Sequence, residues 1–436
     1  MTWPTPSLDP DREELERALR SASAYAAWRG LDPGPTATVD ARYAALPVLT
    51  KESIRRDFPQ GFVPAGQDLE AALASGEVDY VTTAGTTQDA VTLLWHQGWW
   101  DASERASWQL NAHARRLMTG AHREAVLASP RCVGPPLKDR PLTREERTLG
   151  RLLFLNQHPD VALWRDEDVA RMLDELAEYR PVVLEADPNY LAALCRRART
   201  QGLQLFQPEL VVLTYSYPSR AHLREVRRAL RAPIMSSHGS TECGYVFVEC
   251  EHGRMHQNTQ SCRVDLVPVA AAHGGPRLAG MVVTPFGHPW LSILRFDIGD
   301  LAWVSEAPCA CGNRRGWVLD GLGGRLADAT FAMSGRLVSV RELDEALSGV
   351  SGICDYHLEQ QRGEYALRFV PEEGAVDPSA QAARALSGLY GPEAAVTVAA
   401  VSTLNPEPSG KYRLAHRREP LVLESSFALQ SPKAPG

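Results

Sequence analysis

The spacing of hydrophobic residues is most regular between about residues 166 and 238 of the 436-residue chain. Short apolar runs alternate there with segments of helical period. The predicted strands are PVVLEA, PELVVLTY and APIMSSHG, and the predicted helices are DEDVARMLDELAEY, NYLAALCRRARTQG and RAHLREVRRAL. Strands that alternate with helices pair in parallel, so an α/β layer is predicted. Ligands of such layers bind beyond the carboxyl ends of the strands.

The pattern differs on either side of this layer. Before it, residues 49–58 predict a helix with Thr50 as N-cap, and residues 101–118 predict one continuous helix. After it, residues 245–320 read as short β runs, and a compact α+β pattern begins at about 326. The predicted fold class is α/β. A large N-terminal domain (1–325) has parallel or mixed sheets and a β-rich subdomain, and a small mobile α+β domain (326–436) follows.

Composition and charge narrow the function. The chain is 44% hydrophobic and 23% charged with a net charge of −7, which argues against nucleic acid as a partner. No apolar stretch is long enough to span a membrane, and the N-terminus lacks the pattern of a signal peptide. We therefore expect a cytoplasmic protein whose eight cysteines stay reduced.

Two glycine-containing turns have the composition of phosphate-binding loops. TTAGTTQD (82–89) follows a predicted strand, and its backbone N–H groups and threonine hydroxyls can donate to a phosphate. In HGSTE (238–242), Gly239 permits close backbone approach, Thr241 can donate, and Glu242 suits Mg²⁺. Each sequence is also compatible with an ordinary turn.

Two further stretches carry single charged residues in suitable positions. Asp300, in RFDIGDLAWV, is predicted in a turn between two β runs, where a carboxylate can accept from both hydroxyls of a ribose. Lys411, in NPEPSGKYRL, is predicted on a loop from which it can stabilise charge that develops on a phosphoryl group. The structural alternatives are a hairpin aspartate and a surface lysine.

Two short clusters of cysteine and histidine suggest a metal site. ECEHGRMH contains Cys250 and either His252 or His256, and PCACGN contains Cys309 and Cys311. Two cysteines from a Cys-x-Cys motif with a cysteine–histidine pair make a tetrahedral ligand set for Zn²⁺. The alternative is buried reduced cysteines beside surface histidines.

Taken in order, these stretches resemble the motifs of the adenylate-forming (ANL) superfamily, within it the phenylacetate–CoA ligase-like branch. TTAGTTQD resembles its Ser/Thr-Gly-rich loop, HGSTE its aromatic-Gly-x-Thr-Glu motif and RFDIGDL its Tyr-Arg-Thr-Gly-Asp-Leu motif. GGRLAD (323–328) is similar to the hinge and PSGKYRL to the final motif with the catalytic lysine. The resemblance extends from LTKESIRRDF to Lys411.

The resemblance implies activation of a carboxylic acid by Mg·ATP, with AMP and pyrophosphate as products, and transfer to the thiol of CoA or of carrier-protein phosphopantetheine. The implied catalytic residues are Lys411, Thr241 and Glu242, with Glu242 as the magnesium ligand. The implied nucleotide-binding residues are Thr83, Gly85, Thr86, Thr87, His238, Gly239, Ser240, Asp300 and Arg325. The implied ligands of a structural zinc are Cys250, His256, Cys309 and Cys311.

The resemblance also suggests an aromatic acid and a homodimer. The aromatic residues that could line an acyl pocket, or simply pack in the core, are Trp95, Trp99, Trp100 and Tyr245. Three departures concern the motifs: Gln88 and Asp89 in the phosphate loop, His238 at the usual aromatic position, and Ala327 at the hinge aspartate, which Asp328 could replace.

Other functions share these motifs. An amine could capture the acyl-adenylate to form an amide, or a hydroxyl could receive AMP, as in the similar deazaflavin-coenzyme adenylylating enzymes. A non-catalytic, zinc-stabilised nucleotide-binding protein is a third hypothesis. Retention of Lys411 favours an enzyme.

Overall fold

The computed structural model describes residues 9–83, 90–118 and 120–419. The α-helices of these residues are Asp9–Ser21 (α1), Val39–Ala45 (α2), Lys51–Asp57 (α3), Leu69–Ser75 (α4), Gln97–Trp108 (α5), Ala112–Leu117 (α6), Asp166–Tyr179 (α7), Pro188–Thr200 (α8), Arg220–Ala229 (α9), Val340–Leu347 (α10) and Ser379–Tyr390 (α11).

The strands of the same residues are Asp79–Thr82 (β1), Thr92–Trp95 (β2), Glu124–Leu127 (β3), Thr148–Leu149 (β4), Leu152–Phe154 (β5), Val183–Ala186 (β6), Leu210–Leu213 (β7), Ile234–Ser240 (β8), Gly244–Glu249 (β9), Met255–Gln257 (β10), Cys262–Pro268 (β11), Leu278–Pro285 (β12), Phe296–Val304 (β13), Val318–Arg325 (β14), Thr330–Phe331 (β15), Leu337–Val338 (β16), Ile353–Gln361 (β17), Glu364–Pro371 (β18), Ala395–Ala400 (β19) and Ala415–Arg417 (β20). No helix of the described residues is long and apolar enough to cross a membrane.

The described chain forms two compact units. The first comprises residues 9–83, 90–118 and 238–322, and the second comprises 120–237 and 323–419. In the first unit, strands pair in the order β11-β12-β13-β14-β10-β9. The pairs β11–β12, β12–β13, β10–β14 and β9–β10 are antiparallel.

The N-terminal helices of the first unit share its hydrophobic core with this sheet. Tyr43 of α2 and Phe296 of β13 are both fully buried in it. Arg263 of β11 bonds the carboxylates of Asp11 in α1, at 2.7 Å, and Asp40 in α2, at 2.9 Å. Since a buried guanidinium is stable only when it is paired, these bonds fix both helices to the sheet.

In the second unit, strands pair in the order β8-β7-β6-β3-β5-β4. All of these pairs are parallel except β4–β5. Helices α7 and α8 bury apolar faces against this sheet, where Leu173, Leu191 and Leu184 belong to one core. The carboxyl ends of β3, β6 and β7 therefore lie along one edge, the position at which α/β layers bind ligands.

The C-terminal part of the second unit has a sheet of its own in the order β19-β18-β17-β20. Strands β17 and β18 are antiparallel, whereas β17–β20 and β18–β19 are parallel. Helices α10 and α11 cover it, with Leu343, Leu386 and Tyr390 in a common core. A loop of residues 401–414 connects β19 to β20 and carries Lys411.

The mixed α/β fold class is confirmed, and so are the predicted strands and helices of residues 166–240. Thr50 caps α3 as predicted, since its hydroxyl accepts from the N–H of Ser53 at 3.4 Å. The single helix predicted over 101–118 was wrong: the structure has α5 and α6. Asn111 interrupts them because its carboxamide oxygen accepts from the N–H groups of His113 and Ala114, which makes it the N-cap of α6.

Candidate active site and metal cluster

The predicted nucleotide turn, residues 238–242, comprises the end of β8 and the residues before β9, and it belongs to the first unit. A Cβ added to Gly239 would lie 2.2 Å from the carbonyl oxygen of Gly244, so the turn closes only with glycine at this position. The N–H of Cys243 donates to the carbonyl oxygen of Ser240 at 3.1 Å and completes the turn. Thr241 and Glu242 lie at its tip.

Glu242 combines burial with a carboxylate that is available for a cation. Its side chain is 6% exposed. It makes no hydrogen bond or ion pair with any other residue that the structure describes. A buried carboxylate without a compensating charge is costly, and a divalent cation supplies one. The residues present therefore fit the predicted Mg²⁺, for which Glu242 would be a ligand.

His238 and Asp300 are brought together in the first unit. His238 Nε2 lies 3.6 Å from Asp300 Oδ2, and both side chains are largely buried. The prediction that Asp300 lies in a turn was wrong, because it lies within β13. The register of β12 against β13 shifts between Gly280 and Val282, and Gly299 has a φ of +77°. A β-bulge thus aims the Asp300 side chain without ending the strand.

Thr83, predicted to bind phosphate, follows β1. Its N–H donates to the carbonyl oxygen of Val91 at 2.9 Å, and its hydroxyl accepts from the N–H of Val91 at 3.0 Å. These bonds extend the pairing of β1 with β2 by one residue at the end where the loop begins. The other predicted residues of this loop, Gly85, Thr86 and Thr87, and the departures Gln88 and Asp89, lie outside the described residues.

Arg325, predicted to bind the nucleotide and part of the hinge motif, is the last residue of β14 and is exposed. A single 3-10 turn, Leu326–Asp328, follows it. Asp328, which could replace the hinge aspartate, lies 3.5 Å from the guanidinium of Arg413. Arg413 also pairs with Glu407 at 2.5 Å, so the residues around the predicted hinge contact the loop that carries Lys411.

The segment Ser409–Gly410–Lys411 is bound at the carboxyl edge of the second unit's parallel sheet. Ser129, just beyond β3, donates from its hydroxyl to the carbonyl oxygen of Ser409 at 2.7 Å. A Cβ on Gly410 would lie 2.1 Å from the same hydroxyl. Tyr190 of α8 has its hydroxyl 2.8 Å from the carbonyl oxygen of Gly410. We call Ser129, Pro159, Tyr190 and Tyr412 the lysine seat.

Tyr412 and Asp187 complete the surroundings of Lys411. The Tyr412 hydroxyl donates to Asp160 Oδ1 and accepts from the N–H of Val161, both at 3.0 Å. Asp187, the N-cap of α8, is 1% exposed. Burial raises the pKa of the Asp187 carboxyl, while the N–H of Asn189, the Ser216 hydroxyl and the charge of Lys411 lower it. Lys411 therefore stabilises a carboxylate that would otherwise be poorly solvated.

The sequence did not identify the seat. Ser129, Asp187 and Tyr190 do not belong to a recognisable sequence motif. The contacts of Ser129 and Tyr190 with residues 409 and 410 join positions that are 280 and 220 residues apart in the chain. The available signal was a polar residue just after a predicted parallel strand, as at Asp187 after β6. That signal identifies an edge of the sheet but not which distant loop binds there.

The four predicted zinc ligands lie together in the first unit. Their donor atoms are all within 4.8 Å of one another. Cys250 Sγ lies 3.6 Å from Cys309 Sγ, and Cys311 Sγ lies 3.3 Å from His256 Nε2. A tetrahedral zinc with bonds of about 2.3 Å to sulfur and about 2.0 Å to nitrogen sets neighbouring donors roughly 3.5–3.8 Å apart. The donor set therefore fits zinc.

Secondary structure explains this convergence. Cys250 follows β9, His256 lies in β10, and the loop from β13 to β14 carries Cys309 and Cys311. Since β10 pairs with both β9 and β14, the two clusters meet although they are far apart in sequence. His256 is 0% exposed, whereas His252 lies in the exposed turn before β10. The geometry thus selects His256 over His252.

The thiols of this cluster influence one another. The pKa of Cys250 is raised to about 12, chiefly by burial, and the adjacent Cys309 acts in the same direction. For Cys309, burial acts in the same direction, but hydrogen bonds from the backbone of Cys311 and from the thiols of Cys311 and Cys250 lower its pKa overall. A thiolate at Cys309, stabilised by two neighbouring thiols, is a suitable first ligand for a metal.

The four aromatic residues predicted for an acyl pocket form one cluster in the first unit. Ring centroids of Trp95 and Trp100 are 4.5 Å apart, and those of Trp100 and Tyr245 are 5.0 Å apart. Trp99 is buried, and its indole N–H donates to the carbonyl oxygen of Phe286 at 2.8 Å. Trp99 therefore belongs to the core, and Trp95, Trp100 and Tyr245 retain partly exposed faces.

Comparison with known proteins establishes the fold. No protein-family model and no curated protein matches the sequence. Solved structures do match. A structure of 2-hydroxyisobutyryl-CoA ligase in the postadenylation state with 2-HIB-AMP has a TM-score of 0.67 and 17% identity, over 95% of this chain and 91% of that one.

Two further structures share the fold. The same ligase with 2-HIB-AMP and CoA in the thioesterification state has a TM-score of 0.52 and 18% identity, over 94% of this chain and 90% of that one. The amide bond synthetase McbA from Marinactinospora thermotolerans has a TM-score of 0.50 and 14% identity, over 80% of this chain and 70% of that one. The chain thus shares the fold of 2-hydroxyisobutyryl-CoA ligase and of this amide bond synthetase.

Proposed function

We propose that the protein activates a carboxylic acid with Mg·ATP through an acyl-adenylate and then transfers the acyl group to a thiol. The observation that carries this proposal is the lysine seat. A surface lysine needs no such support, whereas Lys411 follows a glycine that fits only one position, and its loop is hydrogen-bonded at a ligand-binding edge. The shared fold supports the same proposal.

In the first step, an oxygen of the substrate carboxylate attacks the α-phosphorus of ATP. The bond from that phosphorus to the oxygen bridging the α- and β-phosphates breaks, and pyrophosphate leaves with the electron pair. Lys411 stabilises negative charge on the α-phosphate and on the attacking oxygen. Glu242 would hold magnesium, which would neutralise charge on the phosphates.

The nucleotide would be held by the first unit. Asp300 accepts hydrogen bonds from the ribose hydroxyls, and His238, beside it at 3.6 Å, lies against the adenine. The backbone N–H groups of the turn at Gly239 and Ser240 and the Thr241 hydroxyl donate to phosphate. Thr83 and the loop of Gly85, Thr86 and Thr87 have the same role for the β- and γ-phosphates.

In the second step, the thiol of CoA or of carrier-protein phosphopantetheine attacks the carbonyl carbon of the acyl-adenylate. The carbon–oxygen bond to AMP breaks, AMP leaves, and the thiol proton passes to solvent. We propose that a small domain of residues 326–436 moves about a hinge at Arg325 between the two steps, relative to a large domain of 1–325. The interaction of Arg413 with both Asp328 and Glu407 supports coupling of hinge and lysine loop.

Several finer assignments belong to this proposal. We assign the chain to the phenylacetate–CoA ligase-like branch, with an aromatic acid as substrate, a structural zinc on Cys250, His256, Cys309 and Cys311, and a homodimer as the assembly. All eight cysteines are free in the structure, which supports a cytoplasmic location. An amine acceptor is the second candidate, because the fold is also that of an amide bond synthetase.

The test is pyrophosphate release from Mg·ATP with a panel of aryl, amino and fatty acids and no acceptor. We expect release that depends on the acid. CoA, phosphopantetheinylated carrier protein and amines are then added to the active acid in turn, and the acceptor is the one that increases turnover. The proposal is contradicted if ATP hydrolysis does not depend on the acid, or if no acid causes release of pyrophosphate.

A further inference from the structure

A second, partly buried carboxylate lies on the strand that leads to the lysine seat. Glu185 belongs to β6, and Asp187 follows that strand in an extended conformation. Residues two apart in an extended strand point to the same face, about 6.6 Å apart. Glu185 therefore lies one strand step from the carboxylate on which the charge of Lys411 acts.

The hydrogen bonding of Glu185 is unusual for a partly buried carboxylate. The Tyr215 hydroxyl donates to Glu185 Oε1, and Tyr215 has a φ of +72°, a conformation that is strained for a tyrosine. Among the residues that the structure describes, Tyr215 is the one hydrogen-bond partner of Glu185, and no cation pairs with it. Its side chain is partly exposed, so a ligand can reach it.

The charges around Glu185 leave its carboxylate without compensation. The pKa of Glu185 is raised to about 7, chiefly by burial; the Tyr215 hydroxyl opposes this shift, and Glu124 on the adjacent strand β3 adds to it. The basic side chains near that strand lie against Glu124. His122 Nε2 and Arg151 Nε lie 2.8 Å and 3.0 Å from Glu124 Oε1. A cation from a ligand would supply what the protein does not.

The two carboxylates, Asp187 and Glu185, lie at different distances from Lys411 along β6. Ser216 follows Tyr215 and lies 3.3 Å from Asn189, whose N–H donates to Asp187. The pair Asp187–Ser216 thus lies beside Lys411, and the pair Glu185–Tyr215 lies one step further along β6 and β7. A substrate whose carboxylate meets Lys411 would extend past the first pair toward the second.

We propose that Glu185, to which the Tyr215 hydroxyl donates, recognises a positively charged group of the acyl substrate, so that the preferred acids carry an ammonium group a few atoms from the carboxylate. This inference rests on the proposed function and narrows it to a substrate class. A partly buried carboxylate that pairs with no cation of the protein discriminates against uncharged analogues, because they displace its remaining water without supplying a charged partner. Glu185 is then a specificity-determining residue.

The experiment compares matched pairs of acids in acid-dependent pyrophosphate release. One member of each pair carries an aminomethyl group, and the other carries an ethyl group of similar size, on benzoic, acetic and butyric acid frameworks. For the wild-type protein, we expect kcat/KM to be at least ~100-fold higher for the ammonium member of the preferred pair. Higher values for the uncharged members overturn the inference.

Variants of the protein distinguish the effect of the Glu185 charge from the effect of its side-chain packing. Glu185→Gln retains shape, and we expect the preference to fall by at least ~10-fold, chiefly through a higher KM for the ammonium acid. Tyr215→Phe keeps the carboxylate and should keep the preference. Glu364→Gln, at an exposed position in β18, is the matched control. An unchanged preference in Glu185→Gln contradicts the inference.

The outcomes also separate the inference from the proposed function. Release with uncharged acids alone retains the proposed function and refutes the assignment of Glu185. No release with any acid refutes the proposed function, and the inference falls with it. If Glu185→Gln does not fold, the wild-type ratio between matched acids decides, since it needs no variant.

Discussion

The hydroxyl of Tyr190 lies 2.8 Å from the carbonyl oxygen of Gly410, the residue that precedes Lys411. The same hydroxyl lies 2.7 Å from the carbonyl oxygen of Pro159 and shares its proton between the two. A tyrosine in the first turn of α8 therefore fixes the backbone that carries the proposed catalytic lysine. The first two predictions concern this arrangement.

Substitution of Gly410 by alanine should displace the lysine loop. The new Cβ would lie 2.1 Å from Ser129 Oγ and 2.9 Å from the carbonyl oxygen of Pro159, at a φ of +84°. We expect acid-dependent pyrophosphate release to fall at least ~10-fold, because small misplacements of a catalytic group are costly. Gly388→Ala, where an added Cβ meets nothing within 4 Å, is the control and should keep full activity.

Substitution of Asp187 by asparagine should slow adenylation selectively. Asparagine is as good an N-cap as aspartate, so α8 remains capped, but the negative charge beside Lys411 is lost. We expect pyrophosphate release to slow by ~10-fold, while conversion of a supplied acyl-adenylate to thioester proceeds at the wild-type rate.

Asp377→Asn is the matched control for that variant. Asp377 also accepts from the N–H two residues ahead at 2.9 Å, but it lies before α11. Equal losses in both half-reactions of Asp187→Asn would show that Asp187 supports the fold and does not position the lysine.

Lys411→Ala should abolish the first half-reaction more completely than either substitution. We expect a loss of at least ~100-fold in pyrophosphate release, with binding of ATP retained, because the ammonium group stabilises charge that develops only during the reaction. ATP affinity from calorimetry and rates from pyrophosphate detection separate the two effects. Turnover at the wild-type rate would remove Lys411 from the mechanism.

Purified protein should contain about one zinc per chain, held by the four clustered residues. Cys309→Ser and His256→Gln should both lose the metal and unfold at lower temperature, because structural zinc contributes to folding. His252→Gln changes a histidine of the exposed turn nearby and should retain it. Metal content by mass spectrometry and thermal unfolding measure this, and full zinc in His256→Gln would refute the ligand set.

The sequence was sufficient for the elements and their class. Helix α7 coincides with DEDVARMLDELAEY, since apolar positions at helical spacing define its buried face without reference to the rest of the chain. Asp300 was harder. Gly299 next to it is typical of a turn, and only the pairing of β12 with β13 shows that the glycine forms a bulge inside a strand.

The sequence predicted the motif residues of the candidate site but not the residues that hold the lysine loop in place. Lys411, Asp300 and His238 were found because each lies in a recognisable stretch. The residues that surround Lys411, namely Ser129, Asp187 and Tyr190, lie in unrelated stretches of the chain and meet the lysine loop through tertiary packing. A single sequence contains no local pattern for contacts over more than 200 positions.

The most direct test of the account follows the oxygen of the acid. An acid that supports turnover is labelled with ¹⁸O in its carboxylate and incubated with Mg·ATP and the thiol acceptor, and the AMP is analysed by mass spectrometry. Attack of the carboxylate on the α-phosphorus predicts AMP with one ¹⁸O atom. Unlabelled AMP, or AMP joined to a hydroxyl of the second substrate, would contradict the proposed acyl-adenylate.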